Sequence, residues 1–145
     1  MILRYLFVLC LVIWSQAPKA GEHDAVAEQV ADVATTGAGL SIGAAEANPL
    51  GLALLGVKLA AYQHIKAQPP EEQPSLWGMF GAFGWGAAVN NLCVIASGGL
   101  CAVLGAAAGL FQWKRTEPER LRAQFDAICE RERVQNPALQ CVWSN

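Results

Sequence analysis

From Asp32 onward, small and apolar residues are interrupted at a helical interval. Asp32, Thr36, Gly39, Gly43 and Glu46 recur at i, i+4, i+7, i+11 and i+14, which places all five on one narrow face of a helix, while Val33, Leu40, Ala44 and Ala45 fall on the other side. This pattern predicts a helix over about 25–47 with a polar, small-residue seam and an apolar back suited to lipid. Asn48-Pro49 ends it, since a proline disfavours helical geometry in the preceding residue and suits the first turn of a following helix. A second helix is then predicted over 49–67. The run QPPEEQP is an exposed loop, because its prolines and glutamates cannot continue a buried helix.

Residues 76–113 are almost free of charge, and as a single helix they would be about 57 Å long, far beyond a bilayer's hydrocarbon. The chain is therefore expected to turn back, most simply at Ser97-Gly98-Gly99, giving helices over about 76–96 and 100–113, with a turn nearer Asn90-Asn91 as the other position. In such a hairpin Trp77 and Trp113 would share one interface as an aromatic belt. A single long crossing is the alternative. Past Trp113 the character changes. Thr116 with Glu119 three residues on forms a capping box, Pro118 suits a first turn, Leu121, Phe125 and Ile128 form an apolar stripe, and Asn136-Pro137 closes the helix.

The first twenty residues, with Arg4, an apolar run from Tyr5 to Trp14 and Ser-Gln-Ala, have the layout of a secretory signal segment. Pro18 makes the cleavage context poor, so an uncleaved anchor is the alternative. Either way residues 18–25 are delivered to the non-cytoplasmic side. Four later passes then place the tail, 114–145, outside as well, against the positive-inside tendency of Lys114 and Arg115. A single crossing over 76–113 would reverse that. The expected fold is an all-α integral membrane bundle of two helical hairpins, with an N-terminal signal or anchor segment and a short C-terminal helical tail. Its expected location is a membrane, most simply a bacterial inner membrane.

Composition agrees with that reading. Of the 145 residues, 54% are hydrophobic, only 15% are charged and fourteen are glycine. Glycine weakens a helix in water by about 1 kcal/mol relative to alanine, whereas in lipid it lets helices approach closely. A net charge of −2 and the absence of a basic patch interleaved with aromatics argue against nucleic acid as a partner.

Lys58 lies roughly 15 Å past the predicted turn, near the middle of a ~30 Å core. An intramembrane lysine there requires a partner, and Asp32 or Glu46 would supply one from the neighbouring seam. Gly81, Gly84, Ala88 and Asn91 share one side of the third helix and should meet another helix. The candidate polar cluster is thus Asp32, Thr36, Glu46, Asn48, Lys58, Asn90 and Asn91. Gly39/Gly43 and Gly105/Gly109 offer close-packing sites. Cys129 and Cys141 flank a turn and would form a disulfide in an oxidising compartment, whereas Cys93 and Cys101, eight apart in an apolar stretch, read as inert small hydrophobes. His23 and His64 lie in different segments, so neither a metal site nor a cofactor is expected. No nucleophile–base arrangement or phosphate loop can be identified, which gives no reason to expect an enzyme.

The order Asp32-x-x-Thr35-Thr36, Leu40, Gly43, Glu46-x-Asn48-Pro49 and then Lys58 resembles a family of small multi-pass membrane proteins of unknown function. Their shared pattern is D-x-x-[LT]-T, a small-residue helix, E-x-N-P and a later helix lysine. The resemblance spans residues 32–58; the N-terminal segment and the cysteine-bearing tail lie outside it. It implies a helical membrane fold and no activity. Three functional expectations follow: a structural or assembly role in a membrane complex, as a homo-oligomer or with other membrane proteins; a small transporter or proton- or ion-conducting protein using Asp32, Glu46 and Lys58; or a holin-like membrane-perturbing protein.

Overall fold

The computed structural model describes residues 21–41, 43, 51–98 and 101–144, and among these every regular element is a helix. They are α1 (Glu22–Ser41), α2 (Gly51–Lys66), α3 (Gln73–Ser97), α4 (Ala102–Arg115) and α5 (Glu117–Gln135). The signal or anchor segment and the Glu46, Asn48 and Pro49 positions lie outside the described residues.

The centre of the fold is α3. It packs α1 against one face and α4 against another, with α2 and the tail helix α5 against its N-terminal part. Small residues make this possible. A Cβ on Gly84 would stand 2.8 Å from the main-chain carbonyl carbon of Glu28, and one on Gly86 would stand 2.7 Å from the carbonyl oxygen of Gly105. These are distances real Cβ atoms do not tolerate, so backbone meets backbone on both flanks of α3. Gly105 and Gly109 do meet another helix closely, as their spacing implies. On α1, Gly39 faces Ile95 at 3.8 Å, but an added Cβ at Gly43 would find nothing within 4 Å.

The predicted helix boundaries shift in several places. The first helix starts at Glu22, earlier than expected, and its regular turns stop by Ser41, where Gly43 adopts φ +77 instead of continuing them. The turn between α3 and α4 comes where the glycines place it: Gly98 caps α3 with a left-handed φ of 65, the conformation glycine adopts without a Cβ penalty.

Four sequence expectations need correction. The first is the count of spanning helices: among the described residues only α3, of 25 residues, is long and apolar enough to cross a membrane. α4, with 14 residues, rises only about 20 Å, and α1 carries acids along its first half. The second is Trp77, which is no belt residue. It is 4% exposed and packs with Ala25 and Ile65, its ring 5.4 Å from Tyr62 and 6.1 Å from Phe80. The third is Thr116. It has helical φ/ψ, and its hydroxyl donates back to the carbonyls of Gln112 (3.0 Å) and Trp113 (3.2 Å), so no capping box forms. Because α4 runs straight into Thr116, the hydroxyl finds carbonyls freed at the end of α4 before it can reach amides of α5. The fourth is the pair Cys93 and Cys101, which form a disulfide with Cα atoms 5.7 Å apart. The Gly98 turn folds α4 back on α3 and brings the two within bridging range.

In the tail, Cys129–Cys141 is a disulfide as expected, tying α5 to the final segment, where Trp143 meets Phe125 edge-on at 5.3 Å. The predicted stripe on α5 is only partly covered, with Leu121 and Ile128 exposed. Helix α5 docks through Arg120, which lies across Gly78, stacks 3.3 Å from the Trp113 ring centroid and donates to the Trp113 carbonyl at 2.8 Å. Gln124 donates to the Glu71 carbonyl, and Arg131 pairs with the Glu71 carboxylate.

Candidate functional site

Three helices contribute to one polar cluster, half-buried around a buried Asp32. Asp32 on α1, 6% exposed, accepts a hydrogen bond and ion pair from Lys58 of α2 through Oδ2 and a hydrogen bond from Asn91 of α3 through Oδ1 at 2.8 Å. The Asn91 amide also reaches the hydroxyl oxygens of Thr36 (3.0 Å) and Thr35 (3.3 Å), while Thr35 donates to the main-chain oxygen of Asp32 at 3.0 Å. The run Asp32-x-x-Thr35-Thr36 therefore acts as one socket. Residues three and four apart on a helix stand side by side, so the carboxylate and both hydroxyls converge on a single amide from the next helix.

The socket satisfies its own charges. A carboxylate removed from water is costly unless paired and hydrogen-bonded, and Asp32 uses both oxygens. Among the described residues nothing places a metal ligand cluster here. The arrangement ties three helices together through one carboxylate and one amide.

Asn90 does not belong to this cluster. Its side chain lies on the α4 flank, where Gly105 has no room for a Cβ: one there would be 2.8 Å from the Asn90 Cβ. Adjacent positions on a helix point about 100° apart, and the sequence alone could not say which asparagine faced which neighbour.

Further polar ties escaped the sequence reading. Gln29, 8% exposed, donates to the Phe80 carbonyl at 2.5 Å, and its own Oε1 is buried without a hydrogen-bond partner. Glu28 accepts from Gln112 of α4. Glu22 accepts from Tyr62 (2.6 Å) and Lys66 (2.8 Å) of α2. Lys66 first, and Tyr62 next, hold the Glu22 carboxyl below its ordinary range, and the same contact raises Lys66. A signal for two of these was present. Ala25 and Gln29 stand seven and three residues before Asp32 and extend its seam, and Lys58, Tyr62 and Lys66 follow one another at i, i+4 and i+8. Antiparallel packing of α1 and α2 then pairs Glu22 with the last of these as Asp32 pairs with the first. Glu28–Gln112 had no such signal, because Glu28 sits off the seam.

No protein-family model, no curated protein and no solved structure matches this chain.

Proposed function

We propose that the protein is a helical membrane protein with a structural or assembly role, and that the Asp32–Lys58–Asn91 cluster is the fastening that sets its helix register. The observation that carries this reading is the inverted distribution of polarity. Val30, Val33, Leu55, Val57, Leu59, Phe83, Val103 and Leu110 are all exposed, while Asp32, Gln29 and Asn91 lie between helices. Only 28% of the most apolar window of α3 is buried by the rest of the fold, whereas a core helix in water would be mostly covered. Exposed apolar area of this extent marks a lipid or protein contact. The closed hydrogen bonding of Asp32 favours fastening over ion conduction, since both of its carboxylate oxygens already have partners.

In this reading α3 crosses the bilayer and the Cys129–Cys141 tail lies in an oxidising compartment, with the Cys93–Cys101 turn at the opposite end of the spanning helix. The bridges then meet different redox surroundings. Non-reducing peptide mapping of protein taken from cells should find the tail pair fully bridged and the turn pair more readily reduced. Two equally bridged pairs would mean that α3 does not deliver the turn to a reducing cytosol. The role itself is tested by alkaline extraction followed by affinity capture from gently solubilised membranes. The protein should stay in the membrane pellet, and a Lys58→Met, Asp32→Asn double variant should capture the same partners as the wild type. Release by alkali sinks the membrane reading, and proton flux into liposomes that Asp32→Asn abolishes would replace fastening with conduction.

A further inference from the structure

We infer that the open groove between α3 and α4 is a binding site for one acyl chain of an anionic phospholipid, with the headgroup held at the Trp113 end. This rests on the membrane reading above and adds a specific ligand to it. The groove has a volume of about 560 Å³, within the range of small-ligand sites. Its floor is small, with Gly86, Gly105 and Ala106, and its walls are Phe83, Leu110 and Trp113. Asn90 is the one side-chain amide in the lining, and it lies toward the Ala102 end.

The other end is cationic. Lys114 follows Leu110 by four residues and so continues the groove wall by one turn, with its side chain 65% exposed and Glu117 at 3.3 Å as its ion-pair partner. An exposed pair of this kind contributes little and leaves the ammonium available to a second anion. Arg115 comes next in the chain, and Arg120, only 4% exposed and donating to the Trp113 carbonyl, adds its charge from beneath over the Trp113 ring. An apolar trough ending at an indole and an exposed lysine, with two arginines behind it, suits a phospholipid, which is apolar along its length and negative at one end. A packed helix from another chain would have no use for that asymmetry.

The test uses the full chain in vesicles of equal parts phosphatidylglycerol and phosphatidylcholine, extracted with mild detergent, with co-purifying lipid read by native mass spectrometry. The wild type should retain phosphatidylglycerol in preference to phosphatidylcholine. Ala106→Trp, which fills the groove, should abolish retention, while Val103→Trp, the same kind of enlargement at an 82% exposed site outside the groove, should not. Lys114→Glu should cut the preference for phosphatidylglycerol by about tenfold while leaving some retention of either lipid. Equal retention of the two lipids by the wild type, unchanged retention in Ala106→Trp, or a wild-type dimer that Ala106→Trp dissociates would each overturn the site. In all of these the protein stays in the vesicle fraction. If it fails to enter vesicles at all, the membrane reading has failed instead.

Discussion

The two flanks of α3 solve the same packing problem with different chemistry. Toward α1 the close approach at Gly81 and Gly84 is accompanied by directional polar ties, from Gln29 to the Phe80 carbonyl and from Asn91 to Asp32, Thr35 and Thr36. Toward α4 the approach at Gly86, Gly105 and Gly109 relies on backbone contact, Gln112 reaches past α3 to Glu28, and the covalent Cys93–Cys101 staple closes the far end. Dispersion alone does not choose between neighbouring registers, because sliding one small-residue face along another changes few contacts. A buried carboxylate with two partners does choose. The α1 flank should thus be specified by electrostatics and the α4 flank by shape and connectivity.

The largest effect should come from stranding a charge on the α1 flank. Lys58→Met leaves the Asp32 carboxylate without its cation and should destabilise the protein by on the order of 3 kcal/mol in equilibrium unfolding in detergent micelles. Adding Asp32→Asn, which keeps an oxygen for Asn91, should recover much of that loss. A double variant as unstable as the sum of the two singles would reject the pairing.

On the α4 flank the sensitive change is steric. Gly105→Val puts a Cβ 2.7 Å from the Gly86 carbonyl oxygen and 2.8 Å from the Asn90 Cβ, and should cost about 1–3 kcal/mol, with α4 displaced and α1 undisturbed. Cysteine cross-linking across each flank would show which pair of helices moved. Loss of the α1–α3 cross-link in this variant would mean that the flanks are not independent.

A smaller difference separates the adjacent asparagines. Asn91→Ala removes the amide shared by Asp32, Thr35 and Thr36 and should cost about 1 kcal/mol, near the measured range for hydrogen bonds between membrane helices. Asn90→Ala should cost less, because that side chain lies on the shape-determined flank. Unfolding midpoints of the two variants decide it, and the reverse order would contradict the division of roles.

The mildest effect concerns the Glu22–Lys66 contact at the open end of the α1–α2 pair. Glu22 is held below its ordinary value of 4.5, so its contribution is complete above that pH and is lost as pH falls through the lower folded value. Lys66 is raised above 10.5, so its share is complete below that pH and is lost as pH rises through the higher value. The difference in thermal midpoint between wild type and Glu22→Gln should be flat from about pH 5 to pH 10 and shrink below and above that window. A difference that instead changes steadily near neutral pH would assign the effect to another group.

Helical periodicity was enough to place most of the elements and the socket. Asp32, Thr36 and Gly39 share a face whatever they pack against, and the Gly98 turn and the Asn136 helix stop depend on local backbone preference alone. The lysine's need for a carboxylate could also be stated in advance, because an unpaired charge among apolar residues is costly in any arrangement. The sequence put Asn91 with Gly81, Gly84 and Ala88 on one side of its helix but could not say which neighbour each asparagine would meet, since that apolar helix has neighbours on two sides. Nor could it show that Cys93 meets Cys101, that Trp77 enters a core, or that Thr116 turns its hydroxyl back onto α4. Each of those depends on how far one helix folds over another, and that is set by contacts between residues distant in the chain. Period and local preference belong to single elements and are written into the order of residues; partnership is decided only when two elements meet.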